Sequence, residues 1–225
     1  MGYPRDFLGR NRGAEGEMRA IHGKGKLFLY IIRQVLYNIG MKVLLCSASP
    51  RRRELLHKIV KDFSVTKSDA EERSRYQRPH LLVMDLAREK GRSVMANDAL
   101  IIASDTLVYR HGRYYGKPKD RADAFRMLRE LSGVTHAVYT GVYLKQDGKE
   151  RVFYDKALVH FHKLTDGEIN DYLDRFAPFD KAGAYGIQDG VVVKNYTGSF
   201  DTIMGLPTEK LGKVLEEMGV RDVYQ

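Results

Sequence analysis

Along the chain, short apolar runs of strand length alternate with stretches in which apolar residues recur every three or four positions. That alternation argues for an α/β or α+β chain. Residues 41–46 read as a short buried strand. Leu55, Leu56, Ile59 and Val60 then fall at helical spacing, with Ser49 as a natural N-cap and Pro50 as a natural first helical residue. Residues 63–66 read as a strand running into the acidic turn 69–72. A helix is expected from Pro79, where Leu82, Leu86 and Lys90 share one face. A lysine ending such a stripe either snorkels to solvent or reaches into a cleft.

The run 99–103 is continuously apolar and reads as a central strand ending in Ser104-Asp105-Thr106. Ligands of open α/β sheets bind beyond the carboxyl ends of strands. Asp105, expected to be exposed there, is either a chemical group or a turn former. The turn Tyr115-Gly-Lys-Pro118 presents Lys117, and a helix is expected from about Asp120 to Leu131, closed by Gly133. Residues 135–146 and 151–163 pair as a hairpin across Asp147-Gly148. Thr165-Asp-Gly-Glu168 is a capping box for a helix through Phe176. Residues 180–188 form a small-residue loop carrying Lys181 and Gln188, of a composition that lets backbone approach a ligand closely. A strand at 191–194 and a helix from Pro207 to Met218 complete the pattern.

Residues 1–40 differ from the rest. They are Gly- and Arg-rich up to Lys26, and the apolar stretch that follows is interrupted by Arg33. A signal peptide needs a short basic start and an unbroken apolar stretch, and a spanning helix needs ~20 apolar residues. Neither pattern is present, so no membrane association is expected. The reading adopted is a native start at Met41, with 1–40 an upstream read-through and 41–225 the functional domain. An amphipathic surface helix is the alternative.

Composition adds bounds. With 225 residues, the chain can build one large or two small domains. Its 38 Lys+Arg against 29 Asp+Glu give a formal charge of +9, which suits a nucleotide or a nucleic acid without separating them. The single cysteine, Cys46, excludes an internal disulfide and points to a reducing cytosolic compartment.

The chemistry starts at Ser47-Ala-Ser-Pro-Arg-Arg-Arg53, which places two hydroxyls and three guanidinium groups at a strand-to-helix turn. The free N–H groups of a first helical turn attract anions, and Arg51 and Arg52 add fork-shaped donors for phosphate oxygens. The plain alternative is a capped helix with a basic first turn. Together with Leu86-Ala-Arg-Glu-Lys90, Ser104-Asp-Thr106, Gly116-Lys-Pro118, Leu131-Ser-Gly133, Thr140-Gly141, Lys181-Ala-Gly-Ala-Tyr-Gly-Ile-Gln188 and Gly205-Leu-Pro207, the motif closely resembles the Maf family of nucleoside triphosphate pyrophosphatases. The likeness runs from Met41 to about Gly219.

The resemblance implies a cytoplasmic enzyme with a mixed β-sheet and flanking helices, two lobes around a central nucleotide cleft. It implies hydrolysis of a nucleoside triphosphate to monophosphate and pyrophosphate with a divalent cation, Mg²⁺ or Mn²⁺. By motif, Asp105 matches the general base, and Arg52, Thr106 and Gln188 match positions tied to substrate choice. Lys90, Lys117 and Lys181 match phosphate-facing lysines, Ser47, Ser49 and Arg51 join the substrate set, and Glu72 matches a metal-binding acidic position. The Asp-Thr and Lys-Ala-Gly-Ala-Tyr-Gly-Ile-Gln forms resemble the branch acting on dTTP and UTP rather than the 7-methyl-GTP branch. Three departures stand out: Ala157 for a frequent Thr, Asp189 for a Gly, and Asp201-Thr202 in a segment that usually carries Asn. A homodimer is the expected assembly if the chain is not a monomer.

The residues support this chemistry on their own terms. Attack of water on the α-phosphorus needs a base and cations to offset charge on the phosphate oxygens. Asp105 supplies the first, and Arg51, Arg52, Lys90, Lys117, Lys181 and a cation at Glu72 the second. A nucleic-acid-binding module is the alternative class, favoured by charge but lacking an aromatic-interleaved basic stripe. A catalytically silent regulator of division would require loss of the base, and Asp105 is present.

Overall fold

The computed structural model describes residues 42–70, 73–96 and 98–220. In chain order these form β1 (Lys42–Cys46), α1 (Pro50–His57), β2 (Ser64–Thr66), α2 (Pro79–Arg92), β3 (Ala99–Arg110), β4 (Arg113–Tyr115), α3 (Arg121–Leu131), β5 (Thr135–Gln146), β6 (Lys149–Phe161), α4 (Asp166–Phe176), β7 (Val193–Thr197), α5 (Phe200–Met204) and α6 (Thr208–Glu217). One mixed sheet carries them in the order β2-β1-β3-β5-β6-β7, with β4 folded back on β3. The expected α/β class with a mixed sheet and flanking helices is what the chain forms. All described residues belong to one compact unit, Lys42–Gln225.

Strand β3 organises the sheet because its two halves do different things. Its first half pairs in parallel with β1, from Lys42↔Ala99 to Cys46↔Ala103, and β1 pairs in parallel with β2. Its whole length from Ile101 to Tyr109 pairs antiparallel with β5. Here the structure corrects the sequence reading: the strand does not end at Ser104-Asp105-Thr106 but runs through it to Arg110. The polar triplet stays in a strand because Val142, Gly141 and Thr140 of β5 lie opposite it in register. Nothing local to 104–106 reports that partner.

The local signals held. Asp147 and Gly148 both take positive φ, 49° and 75°, as a type I′ hairpin turn requires, and β5 and β6 pair across them. Asp120 caps α3 by accepting from the Asp123 N–H at 2.8 Å, and the Thr165–Glu168 capping box opens α4. The strand expected at 191–194 sits at Val193–Thr197, and α5 was not foreseen. Among the described residues no helix is long and apolar enough to cross a membrane.

Side-chain alternation splits the core between the two sheet faces. Val108, Val138, Val159 and Phe161 pack with α3, α4 and Tyr185 on one face. Ile101, Ala103 and Tyr143, of opposite parity, pack with Cys46 and Ala87 of α2 on the other. Helix α2 buries Val83, Ala87 and Gly91, one position round from the predicted stripe of Leu82, Leu86 and Lys90. The face is chosen by fit: a Cβ on Gly91 would lie 2.1 Å from the Tyr143 ring, so only glycine admits that approach.

His136 lies within the first cluster, 2% exposed, its Nε2 paired with the Tyr185 hydroxyl at 2.9 Å. Burial, followed by the charges of Arg110 and His160, pushes its pKa down to about 3. The unfolded chain takes up this proton near pH ~6.5. The folded chain resists until about 3, so the stabilisation is full above pH 6.5 and is lost as pH falls toward 3. Unfolding free energy measured from pH 7 to 4 is expected to fall by on the order of a few kcal/mol. In His136→Gln, which has nothing to titrate, that slope should flatten.

Candidate active site

Strand β1 stops at Cys46, opposite Ala103, so Ser104, Asp105 and Thr106 project past the carboxyl end of the parallel pairing although β3 itself continues. That is where an open α/β sheet binds ligands. Asp105 is buried, 8% exposed, rather than open to solvent as the sequence reading had it. It lies opposite Gly141 in register, whose lack of a side chain lets the α2 backbone close onto β5, and Lys90 Nζ from that helix donates to its Oδ1 at 2.5 Å. Lys90 flanks the buried stripe of α2 and is turned into the cleft, not out to solvent.

Helix α1 starts at Pro50, but the Ser49 hydroxyl makes no capping hydrogen bond, contrary to expectation. Instead the Ser49 backbone N–H donates to Ser47 Oγ at 3.2 Å, and Arg52 Nη1 donates to the same oxygen at 3.4 Å. Arg52 is further held through Nε to the Gly205 carbonyl at 2.9 Å and through Nη2 to Thr106 Oγ1 at 3.1 Å. Ser104 Oγ donates to that carbonyl as well, at 3.0 Å. Gly205 sits at φ 114°, and a Cβ there would lie 3.2 Å from both Arg52 Nε and Thr106 Oγ1. A side chain would therefore be strained and crowded at once. Three separated segments thus fix the plane of one guanidinium.

Arg51 points elsewhere. Its Nη1 donates to Asp180 Oδ2 at 2.7 Å and its Nη2 to the Asp180 carbonyl at 3.4 Å, while Lys181 Nζ donates to Asp180 Oδ1 at 2.9 Å. Burial pushes the Asp180 carboxyl up, but Lys181 and Arg51 outweigh it and hold it at about 2. Asp180 was read as no more than the start of a loop. Its role as shared partner of two cations depends on contacts across 129 residues of sequence.

Two cavities gather the predicted residues. The larger, about 390 Å³, is lined by Ser47, Ser49, Arg52, Lys90 and Lys117, together with Lys67, Ser68 and Asp180. Lys67 and Ser68 were missed, yet they follow β2 as Ser47 follows β1, and adjacent parallel strands deliver their carboxyl ends to one place. The smaller, about 40 Å³, is lined by Arg51, Thr106, Lys181 and Gln188 among Val108, Val138, Tyr185, Ile203 and Met204. The Arg52–Thr106 hydrogen bond joins the two cavities. Glu72, the expected metal ligand, lies outside the described residues. Among the described residues no group of three or more His, Cys, Asp or Glu is placed to hold a metal ion.

The three departures have local partners. Ala157 lies 3.1 Å from where a Gly198 Cβ would stand, leaving no room for a larger neighbour. Asp189 accepts from the Tyr172 hydroxyl at 2.5 Å, and that hydroxyl accepts from the Gly186 N–H at 3.0 Å, which ties the glycine-rich loop to α4. Asp201 is engaged by Lys58 Nζ at 3.0 Å and by the Thr208 hydroxyl.

The family model described as Maf-like protein matches residues 42–218. A dTTP/UTP pyrophosphatase of Carboxydothermus hydrogenoformans is 42% identical over 185 residues, 80% of this chain and 100% of that protein. One of Clostridium botulinum, strain Loch Maree, is 43% identical over 189 residues, 79% of this chain and 97% of its own. One of Agathobacter rectalis is 39% identical over 201 residues, 80% of this chain and 98% of its own. A solved structure of the Staphylococcus aureus Ham1 protein matches with TM-score 0.47 and 15% identity over 79% of this chain and 99% of that one, too loosely to inform the site.

Proposed function

The chain belongs to the Maf family, and on that premise we propose that it hydrolyses dTTP and UTP to the nucleoside monophosphate and pyrophosphate. The observation that carries the reading is a single buried carboxylate, Asp105, held by Lys90 past the ends of β1 and β2 beside a cavity lined by Arg52, Lys67, Lys90 and Lys117. Among the described residues that arrangement offers one buried proton acceptor and several positive charges, the two requirements of phosphoanhydride hydrolysis, because Asp180, the other carboxylate at the cavity, is engaged by Arg51 and Lys181.

In this reading Asp105 takes the proton of the attacking water. Arg52, Lys90, Lys117 and Lys181 face the phosphate oxygens, with Ser47, Ser49 and Arg51 completing the substrate contacts. Thr106 and Gln188 meet the base from the small apolar cavity. Mg²⁺ is commonly held by one or two carboxylates plus substrate phosphates rather than by an all-protein cage. Among the described residues Asp105 is the buried carboxylate at the cleft, and by motif Glu72 would be the residue to hold a Mg²⁺ or Mn²⁺ ion arriving with the triphosphate. Bound there, it would offset charge on the phosphate oxygens. We assign catalysis to residues 41–225 and place the protein in the cytoplasm with its nucleotide substrates, acting without nucleic acid or membrane, as a monomer or homodimer.

The test is kcat/KM for UTP, dTTP, GTP and ATP with Mg²⁺ and with Mn²⁺, for the full chain and for a chain lacking residues 1–40. Both proteins are expected to turn over UTP and dTTP in preference to the purines. Gln188 offers a donor and an acceptor to the alternating edge of uracil. Gln188 is exposed in the free chain, and one matched neutral hydrogen bond contributes about 1 kcal/mol net, so Gln188→Ala should lower the UTP/GTP ratio by roughly fivefold. An unchanged ratio would confine Gln188 to bracing its loop. A wild-type preference for GTP or a modified purine would overturn the branch assignment.

A further inference from the structure

A chain of three hydroxyl contacts at the small cavity has a direction that valence alone settles. Thr140 Oγ1 lies 2.7 Å from the Thr202 carbonyl oxygen, which can only accept, so the one proton of Thr140 is spent there. Thr106 Oγ1 lies 3.0 Å from Thr140 Oγ1. With the Thr140 proton committed, Thr106 must be the donor in that pair. Thr106 Oγ1 also accepts from Arg52 Nη2 at 3.1 Å. A hydroxyl has one proton and two lone pairs. The Thr106 proton goes to Thr140 and one lone pair to Arg52, so the oxygen has a single lone pair left to offer.

The two threonines differ in access. Thr106 is partly exposed and lines the cavity beside Gln188, whereas Thr140 is fully buried and does not line it. The Thr202 carbonyl is itself fixed from behind, because α5 starts at Phe200 and the Thr202 hydroxyl donates to Asp155 on β6. The acceptor that orients Thr140 is therefore built into the packing of α5 on the sheet.

We propose that Thr140 sets base preference at one remove. By taking the Thr106 proton, it makes Thr106 an acceptor only and turns the cavity toward a pyrimidine edge that carries N–H. Uracil and thymine present N3–H. Cytosine presents a bare N3 lone pair, which would face the Thr106 lone pair with no proton between them. The inference rests on the pyrimidine triphosphate reading above and adds to it a discrimination between UTP and CTP made by a residue that touches neither. Thr140 is thus a positioning residue.

A matched neutral hydrogen bond stabilises the bound base, and a pair of facing lone pairs destabilises it. Wild-type enzyme is therefore expected to favour UTP over CTP by about 10-fold in kcat/KM. Thr140→Val keeps the shape of the side chain but removes the acceptor, leaving the Thr106 hydroxyl to rotate and donate. Its UTP/CTP ratio should fall toward one. Thr140→Ser keeps the hydroxyl and should restore the wild-type ratio. Both substrates are assayed on one preparation, so the ratio does not depend on how much of a variant is folded. Retention of the wild-type ratio by Thr140→Val would overturn the proposal, as would a Thr140→Ser ratio as low as that of valine, or a wild type that favours CTP. Absence of turnover of any pyrimidine triphosphate by the wild type would instead overturn the pyrophosphatase reading on which the inference stands.

Discussion

Asp105→Asn is expected to lower kcat for UTP by ~10²–10⁴-fold, the range typical of a positioned general base, while leaving nucleotide affinity within a few-fold of wild type. The substitution keeps the shape of the side chain and removes the proton acceptor. Asn can still accept from Lys90 through its Oδ1, so α2 should stay where the 2.5 Å contact holds it. The pair lies deep, with both side chains under a fifth exposed, and removing its anion leaves the cavity more positive than before. Binding of a non-hydrolysable UTP analogue, measured by calorimetry, should therefore hold or tighten as kcat falls. If the variant keeps more than a tenth of the wild-type kcat, another group is the base. Parallel loss of binding and turnover would instead make Asp105 an anchor for Lys90 with no chemical role.

Gly141→Ala should cost both stability and activity. The added Cβ would stand 2.3 Å from the carbonyl oxygen of Val83, 2.4 Å from its carbonyl carbon and 2.7 Å from the Met84 nitrogen. These are backbone atoms of α2, which cannot swing aside as the end of a flexible side chain can. Relief requires α2 to move away from β5. Overpacking of this kind costs ~1–3 kcal/mol and occasionally more, and rigid backbone on one side puts this site at the upper end. For a domain of this size, ~3 kcal/mol lowers Tm by roughly 6–12 °C. The same helix carries Lys90 to Asp105, and Asp105 lies opposite Gly141 in register, so the shift arrives at the catalytic pair. A displacement of ~1 Å there can cost ~10²-fold in rate. Thermal melts and UTP turnover at a temperature well below the lowered Tm separate the two effects. Wild-type turnover in a destabilised variant would show that the cleft tolerates movement of α2.

The amino-acid sequence by itself determined what depends on neighbours within a turn or two. The Asp147-Gly148 hairpin, the helix start near Asp120, the Thr165–Glu168 box and Pro50 at the start of α1 rest on contacts between residues at most a few positions apart, and each formed as expected. The motif residues around the cleft were legible for a related reason. Hydroxyls, guanidinium groups and lysines at the ends of elements are costly to bury without partners, so their clustering at strand-to-helix turns marks a ligand.

Only the tertiary structure decided the rest. Ser104-Asp105-Thr106 looks like a strand end because three polar residues interrupt an apolar run, yet it stays in β3 because β5 lies opposite it, some 36 residues further along the chain. The buried face of α2 is set by where glycine allows Gly91 and Gly141 to approach their partners, which hydrophobic periodicity does not encode. Asp180 became the shared partner of Arg51 and Lys181, and Thr140 the keeper of the Thr106 proton, through contacts across 129 and 34 residues. A hydrogen bond's direction depends on every partner the group meets, and those partners are assembled only when the sheet closes on its helices.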